Sequence, residues 1–146
     1  MTGHKLVVAF ALPQKNIIVI DTSKMTTHPF SLAITLKHEL AHLLLHHQIE
    51  SKKLPKWFDE GIAQWVSGGI AEILMRRDDR ILRKASLSGK LIPLDELTRI
   101  FPQEEIRLLL AYEESKNFIE YIEQEFGVNG LRQVLTHLKD GENIET

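Results

Sequence analysis

The stretch Leu36–Gln48, LKHELAHLLLHHQ, sets four histidines and a glutamate into a run that otherwise reads as apolar helix. Polar groups that titrate near neutrality are costly on an apolar helix face. A fold that contains this run must leave the histidines in water, satisfy them with partners, or hold an ion between them. Apolar residues recur at Leu32, Ile34, Leu36, Leu40, Leu43 and Leu44. That spacing predicts a helix from about Phe30 or Ser31 to Ile49, its greasy flanks fixing it in the core.

His38 and His42 lie four apart, about 40° around a helix and about 6 Å along it. Two imidazoles so placed can converge on one ion at roughly 2.0–2.1 Å, as Zn²⁺ requires. Glu39 then points beside the ion, where a base acting on water belongs. The pattern His-Glu-x-x-His therefore supplies two ligands and one base, and its plain alternative is a histidine-rich surface stripe. A catalytic zinc wants a third protein ligand and an open position. His46 lies about 12 Å from His38 along a straight helix, too far to share an ion with it. A glycine and a histidine at the third and sixth places after His42 would also serve, but Leu45 and Gln48 stand there. Glu60 is 18 residues beyond His42, within WFDEGIAQW (Trp57–Trp65). The interval holds a helix end, a proline-containing turn and one turn of a second helix. An antiparallel return can bring Glu60 opposite the histidines.

The remaining segments set this pair of helices in an α+β chain, with strands first and helices after. KLVVAFAL (Lys5–Leu12) and NIIVID (Asn16–Asp21), joined by Pro13, Gln14 and Lys15, read as a β-hairpin. Pro55 marks the start of the second helix, which runs through WFDEGIAQWVSGGIAEILMRRDDRILRKA with a bend or break at Gly68-Gly69. SLSGKLIP reads as a loop with room for a short strand, and LDELTRIF as a short helical turn. PQEEIRLLLAYEESKNFIEYIEQEFG is a long amphipathic helix, with Pro102 at its start and Gly127 as its C-cap, before a last short helix.

Composition narrows the chemistry. The 146 residues suit a single domain, standing alone or as a piece of a longer chain with further domains. Eighteen basic against 20 acidic residues, net −2, gives no reason to expect nucleic acid or an anionic membrane as partner. Without cysteine there is no disulfide, no thiolate nucleophile and no thiolate metal site, so His, Asp and Glu must hold any ion. No apolar run reaches the roughly 20 residues of a membrane span. The first residues lack the charge pattern and cleavage site of a signal peptide, which leaves the compartment open.

HELAH followed by WFDEGIA resembles the gluzincin metallopeptidases. It is most similar to the small bacterial peptidase MA-like domains, and more distantly to zinc aminopeptidases and thermolysin. AYEESKNFIEYIEQEFG (Ala111–Gly127) resembles the Ala-Tyr-x-x-Ser-x-x-Phe-x-x-Tyr helix of those domains, so the resemblance runs from NIIVID to the C-terminus. It implies a mostly helical zincin-like domain with a small N-terminal hairpin. It further implies one Zn²⁺ on His38, His42 and Glu60, with Glu39 as catalytic glutamate and Tyr112 as oxyanion donor. The implied activity is hydrolysis of a peptide or protein substrate. Tyr112 reads equally as a core residue with its hydroxyl at the surface, and Tyr121 as core. Gly61 and Ala63 match small residues that let helices approach. Members of the family often carry an acid four residues after the glutamate ligand, to orient a zinc histidine. Gln64 stands there, and Asp59 is the other candidate for that task.

Other residues read more plainly. His46 and His47 fall at the helix end, near its negative pole. His4, His28 and His137 read as solvated. Arg76, Arg77, Arg80, Arg83 and Lys84, with Asp78 and Asp79, read as a solvated face. Trp57 and Trp65 read as helix packing. The competing functions are a zinc domain without activity that binds peptides or regulates, and a metal-free structural domain. Endo- and exopeptidase are not separable from sequence.

Overall fold

The computed structural model of the chain describes residues 9–23, 32–68 and 80–141. Strands β1 (Ala9–Leu12) and β2 (Ile17–Ile20) form an antiparallel hairpin in the register Phe10↔Val19 and Leu12↔Ile17. Pro13–Lys15 make the 3₁₀ turn, and Asn16 takes the left-handed conformation (φ 54°) that its short amide tolerates. Helices α1 (Leu32–Gln48) and α2 (Lys56–Ser67) follow. Helices α3 (Ile81–Leu87), α4 (Leu94–Arg99) and α5 (Glu105–Asp140) complete the described chain. The result is the expected mostly helical α+β domain with a small N-terminal sheet.

Local chemistry explains the helix ends. Pro55 caps α2, its carbonyl accepting from the N–H groups of Phe58 and Asp59 at 3.1 and 3.0 Å. Gly68, at φ 85°, closes α2, so the break expected at Gly68-Gly69 falls there. The sequence between Ile70 and Asp79, including Arg76 and Arg77, lies outside the described residues, as do Lys5–Val8, His4 and His28. Helix α5 starts three residues later than Pro102 suggests. Glu104 is its N-cap, accepting from the N–H groups of Ile106 and Arg107 at 3.0 Å each. Gly127 leaves helical geometry at φ 67°, ψ −175°, a region open essentially to glycine, and kinks α5 where the sequence predicts a C-cap. The segment 88–93 forms no strand. The Ile92 N–H that a ladder would use is donated to the Glu114 carboxylate instead, at 2.8 Å.

The core lies between α2, α4 and α5, with Phe58, Leu97, Leu109 and Ile119 fully buried. Trp57 packs edge-on against Phe58 and Phe118, at centroid distances of 5.5 and 5.7 Å, as a packing residue should. Gly61 faces this core, and Ala63, about 200° further round α2, is also fully buried. A Cβ on Gly61 would stand 2.6 Å from the carbonyl oxygen of Ser115, so the close approach that glycine permits is between α2 and α5. Tyr121 is exposed, against expectation. It sits two positions past Ile119, about 200° around the helix from the face that meets α2.

Helix α1 corrects another expectation. Leu32, Leu36, Leu40 and Leu44 are exposed, while Thr35, His38, Glu39, Ala41 and Leu45 are buried. The apolar stripe is not the inward face; the polar cluster is. Among the described residues, no helix is long and apolar enough to cross a membrane.

Candidate metal centre

Helices α1 and α2 pair antiparallel through their polar side chains. His46 and His42 meet Asp59, and His42 and His38 meet Glu60, so advancing along α2 retreats along α1. This is the return expected from the spacing of the two segments. It brings His38, His42 and Glu60 together, each with one ligand atom within 4.8 Å of the others. Glu39, Tyr112, Lys56 and the β1 strand line the same cavity of about 550 Å³.

Three atoms define its floor. His42 Nε2 lies 3.2 Å from His38 Nε2 and 3.4 Å from Glu60 Oε2, and His38 Nε2 lies 3.7 Å from that oxygen. Ligands at 2.0–2.1 Å around a tetrahedral ion stand about 3.3–3.4 Å apart. The triangle therefore has the size that such an ion needs, and two imidazoles with one carboxylate are a donor set suited to zinc. A second group, His42, His46 and Asp59, also brings three ligand-type atoms together. Its contacts of 2.7 and 2.9 Å are hydrogen-bond lengths, shorter than ligand edges around an ion.

The electrostatics match a site that wants positive charge. Burial pulls His42 down, but the hydrogen bonds and charges of Asp59 and Glu60 overcome it and raise its pKa to about 10. Burial and the neighbouring His42 lower His38 to about 4, against the pull of Glu60, Asp59 and the Ala63 backbone. Burial would raise Glu60, yet His42, Lys56 and His38 hold it well below the usual carboxylate range. Asp59 behaves alike, its burial outweighed by hydrogen bonds from His42 and His46. The protein alone thus balances the cluster by placing a proton on His42, where a divalent cation would do the same electrostatic work. His38 Nδ1 is buried without a hydrogen bond of normal geometry.

Surrounding groups fix the cluster. Asp59 Oδ1 accepts from His42 Nδ1 at 2.7 Å, so Asp59, and not Gln64, supplies the orienting carboxylate for this histidine. Consecutive residues serve because His42 lies between them, offering Nδ1 to Asp59 and Nε2 to Glu60. Gln64 is buried elsewhere along α2. Lys56 Nζ donates to Glu60 Oε1 at 2.7 Å, which leaves Oε2 to the histidines. That lysine lies 5.8 Å from the centre of the Phe101 ring, which packs edge-on against Tyr112 at 5.3 Å. Neither contact was legible in the sequence, although Lys56 stands four residues before Glu60, the spacing of a helical ion pair.

Glu39 is buried in the same wall. Burial raises its pKa, opposed by the charge of His42 and by the Ala11 N–H of β1. Tyr112 is raised by burial and by the charges of Glu60 and Glu39, so its hydroxyl stays protonated and able to donate. His46 and His47 do lie in the last turn of α1, and both also have specific partners. His47 Nε2 hydrogen-bonds the Asn16 side chain and so ties the hairpin turn to α1.

A family model described as the Peptidase MA superfamily matches residues 4–146. No curated protein and no solved structure gives a match.

Proposed function

The chain belongs to the peptidase MA superfamily, and from that premise we propose that it is a zinc-dependent peptidase of gluzincin type, acting as one domain over residues 1–146. The observation that carries this reading is the triangle of His38 Nε2, His42 Nε2 and Glu60 Oε2, beside the buried carboxyl of Glu39. A zinc ion held by these three residues supplies Lewis acidity, making water a stronger acid and the scissile carbonyl a better electrophile.

The chain's own residues do the rest. Glu39 takes a proton from the attacking water and delivers it to the leaving amine as the carbon–nitrogen bond breaks. Tyr112, protonated in the cavity wall, donates to the oxygen that gains charge in the transition state. Asp59 fixes the ring of His42, and Lys56 holds one oxygen of Glu60. The peptide lies extended beside β1, which forms one side of the cavity and offers backbone groups along its edge.

The test is a peptide-library digest by wild type and Glu39→Gln, with and without chelator. The reading expects chelator-sensitive cleavage by wild type. Glu39→Gln should bind zinc and leave the peptides intact. Zinc binding by both proteins with cleavage by neither would favour a peptide-binding or regulatory module on the same fold. Undiminished cleavage by the variant would remove Glu39 from the role of base.

A further inference from the structure

The geometry points to His46 as a positioning residue that sets the zinc affinity of the site by anchoring Asp59. This inference rests on the reading of His38, His42 and Glu60 as zinc ligands. Asp59 has little exposure and both of its oxygens are engaged: Oδ1 accepts from His42 Nδ1 at 2.7 Å, and Oδ2 accepts from His46 Nε2 at 2.9 Å. On its far side, His46 Nδ1 meets the Ser51 hydroxyl at 2.7 Å. A chain of hydrogen bonds therefore runs from Ser51 at the surface through His46 and Asp59 to His42.

The direction of each bond follows from the carboxylate, which can only accept. His42 donates to Asp59 through Nδ1, which turns Nε2 towards His38 and Glu60. His46 donates to Asp59 through Nε2, which turns Nδ1 to the Ser51 hydroxyl. The Ser51 contact thus holds the His46 ring in the orientation that meets Asp59. A carboxylate held by one oxygen can turn about its side-chain torsions; held by both, it keeps a fixed plane. The orientation of His42 is then set from two helical turns of α1 at once, His42 and His46, through one residue of α2. Without His46, Oδ2 is buried without that partner, and Asp59 gains by turning towards water and away from His42.

The experiment is zinc titration against a chelating dye for wild type, His46→Leu, His46→Asn and His46→Gln. Thermal unfolding of each zinc-free protein runs beside it. Glutamine can place its amide nitrogen where Nε2 stood, whereas asparagine places it only where Nδ1 stood. His46→Leu and His46→Asn should weaken zinc about tenfold, the lower end of the range for groups that orient a ligand. His46→Gln should restore most of that loss. A purely structural role for His46 shifts the melting temperature without separating Gln from Asn in affinity. Zinc bound equally or more tightly by the Leu and Asn variants, or no difference between Asn and Gln, overturns the inference while leaving the zinc site standing. No zinc binding by wild type overturns both. Should the leucine variant fail to fold, the Asn and Gln pair decides alone.

Discussion

Gly61→Ala tests whether the crossing of α2 and α5 is what holds Glu60 in place. The added Cβ would meet the Ser115 carbonyl oxygen at 2.6 Å, Ile119 Cγ1 at 2.8 Å and the Ser115 carbonyl carbon at 3.0 Å. Non-bonded heavy atoms settle at about 3.5–4.0 Å, so the two helices must part by about 1 Å. The first obstacle is the backbone of a helix, which cannot swing aside as a side chain does. Overpacking of this kind costs about 1–3 kcal/mol, and the rigid obstacle places the cost near 3. Alanine's better helix propensity returns about 1 kcal/mol. The net expectation is a loss of about 2 kcal/mol, which for a chain of this size lowers Tm by roughly 4–8 °C. The assay is urea unfolding of the zinc-free protein, read as a lower midpoint at unchanged slope. Because Gly61 is bonded to Glu60, the displacement also opens the ligand triangle, and zinc affinity should fall. A midpoint equal to or above that of wild type would refute the argument, since helix propensity would then have acted without a clash.

Two further outcomes follow from the same structure. Addition of zinc should stabilise the protein by mass action, about 2.7 kcal/mol at a hundredfold excess over Kd; chelator should reverse the shift, and Glu60→Ala should abolish most of it. The buried Glu114 carboxyl is pushed above its ordinary 4.5 by burial, against the Ile92 N–H and the charge of Arg107. Its folded form holds the proton longer than the unfolded form, so its contribution to stability falls as pH rises from about 4.5 through its raised folded value. Glu114→Gln keeps an acceptor for Ile92 and removes the titration. The unfolding free energy of the variant minus that of wild type should therefore grow with pH across this window and then level off; a flat difference would refute it.

What the sequence made legible was mostly local. The hairpin turn, the α2 start at Pro55, the break at Gly68 and an interruption at Gly127, read as a C-cap and found as a kink, each depend on one or two residues with restricted backbone geometry. The pairing of His38 and His42 was legible because helix geometry converts sequence distance into position, and Glu60 because an antiparallel return and the family resemblance both pointed to it. Tertiary facts were not. Asp59 and Gln64 were both candidates to orient a histidine, and nothing local separates them. The choice depends on where the rings of α1 meet α2, which is fixed only in the folded helix pair. His46 escaped for the same reason, since it has meaning only beside a carboxyl on α2; Lys56 pairs with Glu60 at a local helical spacing.

The leucine stripe of α1 shows what periodicity measures and what it misses. A helix usually buries its apolar stripe because nothing else on it gains as much by leaving water. Here the polar face goes inward, since His38, His42 and His46 have carboxyl partners on α2, and Glu39 shares their cavity wall. Once those partners exist, turning α1 to bury Leu36, Leu40 and Leu44 would pull four titratable side chains out of a paired, low-dielectric environment and strand Asp59 and Glu60. An unpaired buried carboxylate costs more than three half-exposed leucines gain. The rotation of α1 is therefore fixed by its chemistry and not by its hydrophobicity, and the stability of this helix pair should depend on the charge balance of the cluster that a metal would complete.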